Sequence, residues 1–172
     1  MSFNFIDLNN DIRELMLQEI HADIDQNNLY FSPRLSAEGV RNYPDLLIKA
    51  ATAHNEVWLA NQINQYGQLN TQEITRGGVR KKVPVNAAHT MADGEFNRFY
   101  IRAVCLLAIE KEMDLEVYRA KLVETSRSAS MRKIGEFVSP EKLLNDLRSN
   151  IGIDTALGLP AGPNSGLCVK LV

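Results

Sequence analysis

Three charged residues recur at helical spacing inside one of the most apolar stretches of the chain. Glu95, Arg98 and Arg102 lie three and four residues apart within 94–110, a spacing that stacks side chains on one helix face. A helix that is apolar around most of its circumference belongs at the centre of a domain. Charges on it must be paired within the chain or offered to something else. Two readings follow. In one, Glu95 pairs with Arg98 or Arg102 inside the fold; in the other, the arginines reach a partner subunit, where arginine is enriched.

A second group is acidic. Glu110, Glu112, Asp114 and Glu116 are followed by Arg119 and Lys121. Carboxylates with a nearby lysine are what a metal-dependent nuclease uses to hold a divalent cation and activate water. That chemistry needs acid and lysine on the same side of one strand. Glu116 and Lys121 are five residues apart, and alternation places them on opposite faces.

Other catalytic arrangements are weaker still. His21, His54 and His89 fall in three separate segments with no partner at ligand spacing, so no metal is expected. Asn164-Ser165-Gly166 lacks the glycine before serine of a nucleophile elbow. Gly152, Gly158, Gly162 and Gly166 do not lead from a strand into a helix, which argues against a phosphate-cradling loop. No catalytic residue and no cofactor is assigned.

The one positive cluster is Arg76, Arg80, Lys81 and Lys82, joined further on by Arg127, Arg132 and Lys133. It could grip phosphates without reading sequence, in a manner that weakens with salt. No aromatic residues are interleaved for base stacking. A charged hairpin edge also serves to stop sheets pairing indiscriminately. The candidate interface or polyanion-binding residues are therefore Arg76, Arg80, Lys81, Lys82, Arg98, Arg102, Arg127 and Arg132.

These side chains need elements to hold them. Ile12, Leu15, Met16 and Ile20 predict a first helix over 10–23, capped by Asn10. A second helix is expected over 44–66, with Pro44 at its first position. Residues 71–85 read as a β-hairpin turning at Gly77-Gly78, with Pro84 marking an edge. The central helix over 94–110 leads into a strand over 115–123. The small, polar, basic stretch 125–133 is expected as an exposed loop. Ser139-Pro140 starts a helix with Leu143, Leu144 and Leu147 on its buried side. Residues 152–166 form an irregular loop, and 167–172 a closing strand, held by a sheet or by a neighbouring copy.

Length and composition bound the rest. The 172 residues suit a single domain, and a chain of this length buries about two thirds of its unfolded surface. The hydrophobic share is 45% and the charged share 23%, as in ordinary globular proteins. Cys105 and Cys168 are too few for a disulfide framework; together with an N-terminus unlike a secretory signal they suggest a cytoplasmic setting. No apolar run suffices to span a bilayer. Net charge is −2, but uneven: residues 1–70 carry −5 and residues 71–172 carry +3. A dedicated DNA-binding domain would be more basic.

The expectation is a single α+β domain over 1–172. Its residues 1–70 are helical, and a central buried helix packs on a small, mostly antiparallel sheet. The functional expectation is a non-enzymatic protein that self-associates or docks onto a larger particle, for example in a phage- or prophage-type virion. The alternative is a nucleic-acid-binding accessory factor or nuclease using the basic hairpin 76–82.

Overall fold

A computed structural model describes residues 2–122, 128–152 and 166–172, and the fold is α+β. Helix α1 spans Asn10–Asp25 and buries Ile12, Met16 and Ile20 completely. Its cap is Asn9, not Asn10: the Asn9 Oδ1 accepts a hydrogen bond from the Ile12 N–H at 3.0 Å. The side chain must lie three residues before the amide it satisfies, and Asn9 has that offset.

The expected helix over 44–66 is two helices. Helix α2 spans Ala37–Ala53 and α3 spans Glu56–Ile63. Ser36 caps α2 by accepting from the Gly39 N–H at 3.0 Å, so the helix begins well before Pro44. Pro44 sits in its interior, where it removes one backbone donor. The break after Ala53 has two causes. Asn55 Oδ1 accepts from the Trp58 N–H at 3.0 Å and starts α3. Arg13, from α1, donates to the Ala51 carbonyl at 2.7 Å and the His54 carbonyl at 3.0 Å, satisfying carbonyls that a continuing helix would have used. Gly39 is needed where it stands, because a Cβ there would lie 2.0 Å from the Gln68 carbonyl oxygen.

The hairpin forms as expected. Strands β1 (Gln72–Ile74) and β2 (Arg80–Lys82) are antiparallel, with Glu73 opposite Lys81. Gly78 takes a positive φ of 78° in the turn, which glycine adopts without steric cost. The hairpin is its own two-stranded sheet.

Helix α4, Ala87–Lys111, is the longest element and starts seven residues before Gly94. Phe96, Phe99, Tyr100, Ala103 and Val104 are buried, and the helix packs against α1, α3, α6 and the main sheet. It is buried on nearly every side, as its apolar circumference requires. That sheet has the order β4-β3-β5 and is antiparallel throughout. Its members are β3 (Leu115–Arg119), β4 (Phe137–Val138) and β5 (Leu167–Leu171). The expected strand over 115–123 ends at Arg119, because the next two amides, of Ala120 and Lys121, both turn to the Gly166 carbonyl at 2.8 and 3.1 Å. Its final residue, Val123, lies outside the described residues.

Part of the stretch expected as a loop is helical: α5 spans Ser128–Lys133. Arg132 and Lys133 fall in its last turn, where cations oppose the helix dipole favourably. Residues 125–127 of that stretch lie outside the described residues, as do 153–165 of the expected glycine-rich loop. Helix α6, Pro140–Ser149, matches expectation, with Ser139 as cap and Leu143, Leu144 and Leu147 buried.

The segments near both ends make contacts within this chain, and the closing strand is held by a sheet. The Asn4 N–H donates to the Ala120 carbonyl at 2.8 Å, and the Phe3 N–H to Glu56 Oε1 at 2.7 Å. The Tyr118 hydroxyl donates to the Asn4 carbonyl at 2.7 Å. At the other end, β5 pairs with β3, and the Leu171 N–H donates to Asp7 Oδ2 at 3.1 Å. Among the described residues no helix is long and apolar enough to cross a membrane.

Candidate functional site

The first half of α4 forms one wall of a half-open cleft of about 570 Å³. The hairpin faces it, and among the described residues Phe3, the segment around Tyr30–Arg34, Leu147 of α6, Gly152 and Gly166 also line it. Thr90, Met91, Gly94, Asn97 and Ile101 supply the helical side. A cleft of this size accommodates a small organic molecule.

Gly94 is the unusual residue in this wall. Among the described residues, a Cβ built there would meet nothing within 4 Å. Glycine inside a helix is less stable than alanine by roughly 0.5–1 kcal/mol. Close packing explains many helical glycines, but here no described neighbour demands one. The absence of a side chain leaves the cleft open where a helix former would have narrowed it.

Three carboxylates line the cleft, and each has a cationic partner. Glu73 on β1 accepts from Arg34 Nε at 2.6 Å and from Arg34 Nη2 at 3.3 Å, while Lys81 Nζ stands 3.4 Å away. The hydrogen bond from Arg34 holds the Glu73 carboxyl below its ordinary range. Asp93 pairs with Lys121, whose ammonium also lies over the Phe3 ring. Glu95 stands 3.5 Å from Arg98 Nε. Burial pushes the Glu95 carboxyl up to about 7, against the opposing pull of Arg98 and Arg102. A carboxyl that titrates near neutrality in a cleft wall can exchange a proton with a bound molecule.

Arg98 has further work in the fold. Its Nη1 donates to the Asn150 carbonyl at 3.0 Å, just past the end of α6. Arg102, one turn further along the same face, turns to α1. Its Nε donates to Glu19 Oε2 at 2.6 Å, and its Nη1 and Nη2 to Asp23 at 2.6 and 2.9 Å. Arg148 of α6 also reaches Glu19, from Nε at 3.0 Å. Burial raises the Glu19 carboxyl, but the bonds from Arg148 and Arg102 outweigh it and leave the group below its ordinary value. Arg102 is only 1% exposed. Arg98 and Arg102 are both engaged within the chain. Glu95 and Arg98 do form the expected pair; Arg102 takes its carboxylates from α1.

The basic cluster is divided. Arg76 and Lys81 line the cleft. Arg80 does not, and Lys82 lines a separate shallow groove with Pro84 and Val85. Arg132 lies exposed on α5, outside both. Arg127 lies outside the described residues. Lys121, considered with Glu116 for metal chemistry, pairs across the fold with Asp93, while Glu116 pairs with Lys170 at 3.3 Å. The described residues contain no group of three or more His, Cys, Asp or Glu placed to hold a metal.

Both cysteines are buried. Burial pushes the Cys105 thiol up to about 12 and raises the Cys168 thiol as well, so neither is a ready nucleophile. Cys168 donates to Asn97 Oδ1 at 3.1 Å, and Asn97 Nδ2 donates to the Leu167 carbonyl at 3.0 Å. This fixes the Asn97 amide at the cleft wall.

Sequence reasoning missed Gly94 and Asp93 as site residues, and Arg34 with Glu73. A lone glycine inside a helical pattern was an available signal. The meeting of Arg34 with Glu73 was not, because it joins segments thirty-nine residues apart. No protein-family model, no curated protein and no solved structure matches this chain.

Proposed function

We propose that this chain is a binding protein whose working surface is the cleft between α4 and the hairpin. The observation that carries the reading is Gly94. It keeps the cleft open on a deeply buried helix, at a cost to helix stability that no described neighbour explains. Sites built on buried helices hold their geometry better than sites on loops. Such a protein needs no bond-making of its own, and it would equally suit a subunit that docks onto a larger particle and carries its ligand there.

Filling the cleft tests this reading. Gly94→Leu places a side chain in open space, so the variant should fold with an unchanged circular dichroism spectrum. A set of small organic fragments is screened by ligand-observed NMR against the natural chain and the variant. Fragments that bind the natural chain and lose binding to the variant support the reading. A screen in which every hit binds both proteins equally contradicts it.

A second reading is contact with nucleic acid through the outer side of the hairpin. It is favoured by Arg80 and Lys82, both exposed, with no ion pair recorded for either among the described residues. Binding to a generic duplex is measured at two salt concentrations for the natural chain and for Arg80→Ala/Lys82→Ala. Tight, salt-sensitive binding lost in the double variant supports it; no binding at low salt ends it.

A further inference from the structure

We propose that the cleft takes a free organic anion: a carboxylate or phosphate group carried on an apolar, preferably aromatic, body. This rests on the binding reading above and names the ligand class for the same site.

The charge of the wall comes first. Every acid that lines the cleft among the described residues is already matched: Glu73 by Arg34, Asp93 by Lys121, and Glu95 by Arg98. Two cations are left over. Arg76 is exposed at the hairpin turn and makes no ion pair among the described residues. Lys81 makes one contact, at 3.4 Å, with a carboxylate that Arg34 already holds through two hydrogen bonds. An ammonium has three donors, so Lys81 has capacity to spare. The two residues come from the loop and the second arm of the hairpin and face the same space. An anion entering there meets an excess of positive charge and no unmatched carboxylate.

The apolar half of the argument comes from the opposite side. Phe3, Tyr30, Met91, Ile101 and Leu147 supply rings and aliphatic surface to the same cleft. A bare inorganic anion would leave that surface in water. A molecule with an aromatic body covers it, at roughly 25 cal/mol for each Å² of apolar surface removed from solvent. Cations at one side and apolar surface at the other select a ligand with the matching polarity.

Three probes separate the parts of this assignment: 1-naphthyl phosphate, 1-naphthylmethylammonium and inorganic phosphate. Each is titrated into the full chain while backbone amides are followed by NMR. The expected result is saturable shifts of the Thr90–Arg98 amides with naphthyl phosphate. The ammonium and inorganic phosphate should each bind at least about tenfold more weakly, a difference of roughly 1.4 kcal/mol. Arg76→Glu, which disturbs no recorded ion pair, should weaken naphthyl phosphate by about tenfold or more and leave the spectrum otherwise unchanged.

The overturning results are distinct. If the ammonium binds in the cleft as tightly as the phosphate ester, or if Arg76→Glu changes nothing, the anion assignment is wrong while the cleft remains a binding site. If inorganic phosphate matches the ester, the apolar body is wrong. Co-sedimentation with phosphatidylglycerol vesicles, competed by the ester, would make a lipid headgroup the anion and overturn the free-ligand assignment. If no probe moves the α4 amides, the anion assignment falls; loss of the binding reading itself requires the fragment screen to fail as well.

Discussion

Glu95 Oε1 and Arg98 Nε face each other across 3.5 Å, one turn apart on the most deeply buried helix of the fold. Both are at the cleft wall, and both are almost wholly withdrawn from water: Glu95 is 5% exposed and Arg98 7%. The arginine also donates to the Asn150 carbonyl. Burial wins over the attraction of Arg98 and Arg102 in setting the proton affinity of Glu95.

That imbalance makes stability depend on pH in a defined window. In the unfolded chain Glu95 releases its proton near 4.5, and in the native chain near 7. Between those values the unfolded state binds fewer protons than the native one, so stability falls as pH rises. The loss from this one group is on the order of a few kcal/mol and is completed only as pH rises past about 7. Glu95→Gln should remove this slope. Urea unfolding from pH 4.5 to pH 8 should show the variant gaining on the natural chain as pH rises; a constant difference across that range would contradict the assignment.

Arg102 bonds both Glu19 and Asp23, and removing it strands buried carboxylates. Arg102→Ala should cost about 3–5 kcal/mol, as breaking a buried pair does. Restoring bulk without charge, as in Arg102→Met, should recover little, because the packing defect is the smaller part. Equilibrium denaturation of the two variants decides the matter: equal stability of Arg102→Met and the natural chain would show the network to be dispensable.

At Gly94 the expectation has the opposite sign. Gly94→Ala adds a methyl group into open space on a regular helix, and should raise stability by about 0.5–1 kcal/mol. Gly39→Ala provides the contrast. Its Cβ would collide with the Gln68 carbonyl oxygen, and the strain should cost about 1–3 kcal/mol. Thermal unfolding of the two variants side by side reads both signs. Destabilisation by Gly94→Ala would mean that the helix at this position is packed in a way the structure does not have.

How much of this was legible beforehand follows from the range of the forces involved. The α+β class, the hairpin, the central helix and the α6 start are written in local periodicity and capping chemistry, and each is present, although the central helix begins seven residues before its expected start. Boundaries set by long-range partners were not legible. The split between α2 and α3 depends on Arg13 reaching from α1, and β3 stops where its neighbours turn to Gly166. Along the sequence the acid on Arg102's own helix face is Glu95, two turns back, yet in space Arg102 belongs to Glu19 and Asp23. Arg76 and Lys81 stood out by composition alone, whereas the apolar wall opposite them comes from segments scattered between Phe3 and Leu147.

The central claim is that the space above Gly94 is there to be occupied. The most direct measurement is the amide spectrum of the chain titrated with the strongest fragment from the screen, in parallel with Gly94→Leu. The account predicts shifts concentrated on Thr90–Arg98 and on the hairpin around Arg76 in the natural chain, and none there in the variant. Shifts confined to other surfaces, or unchanged by the leucine, would contradict it.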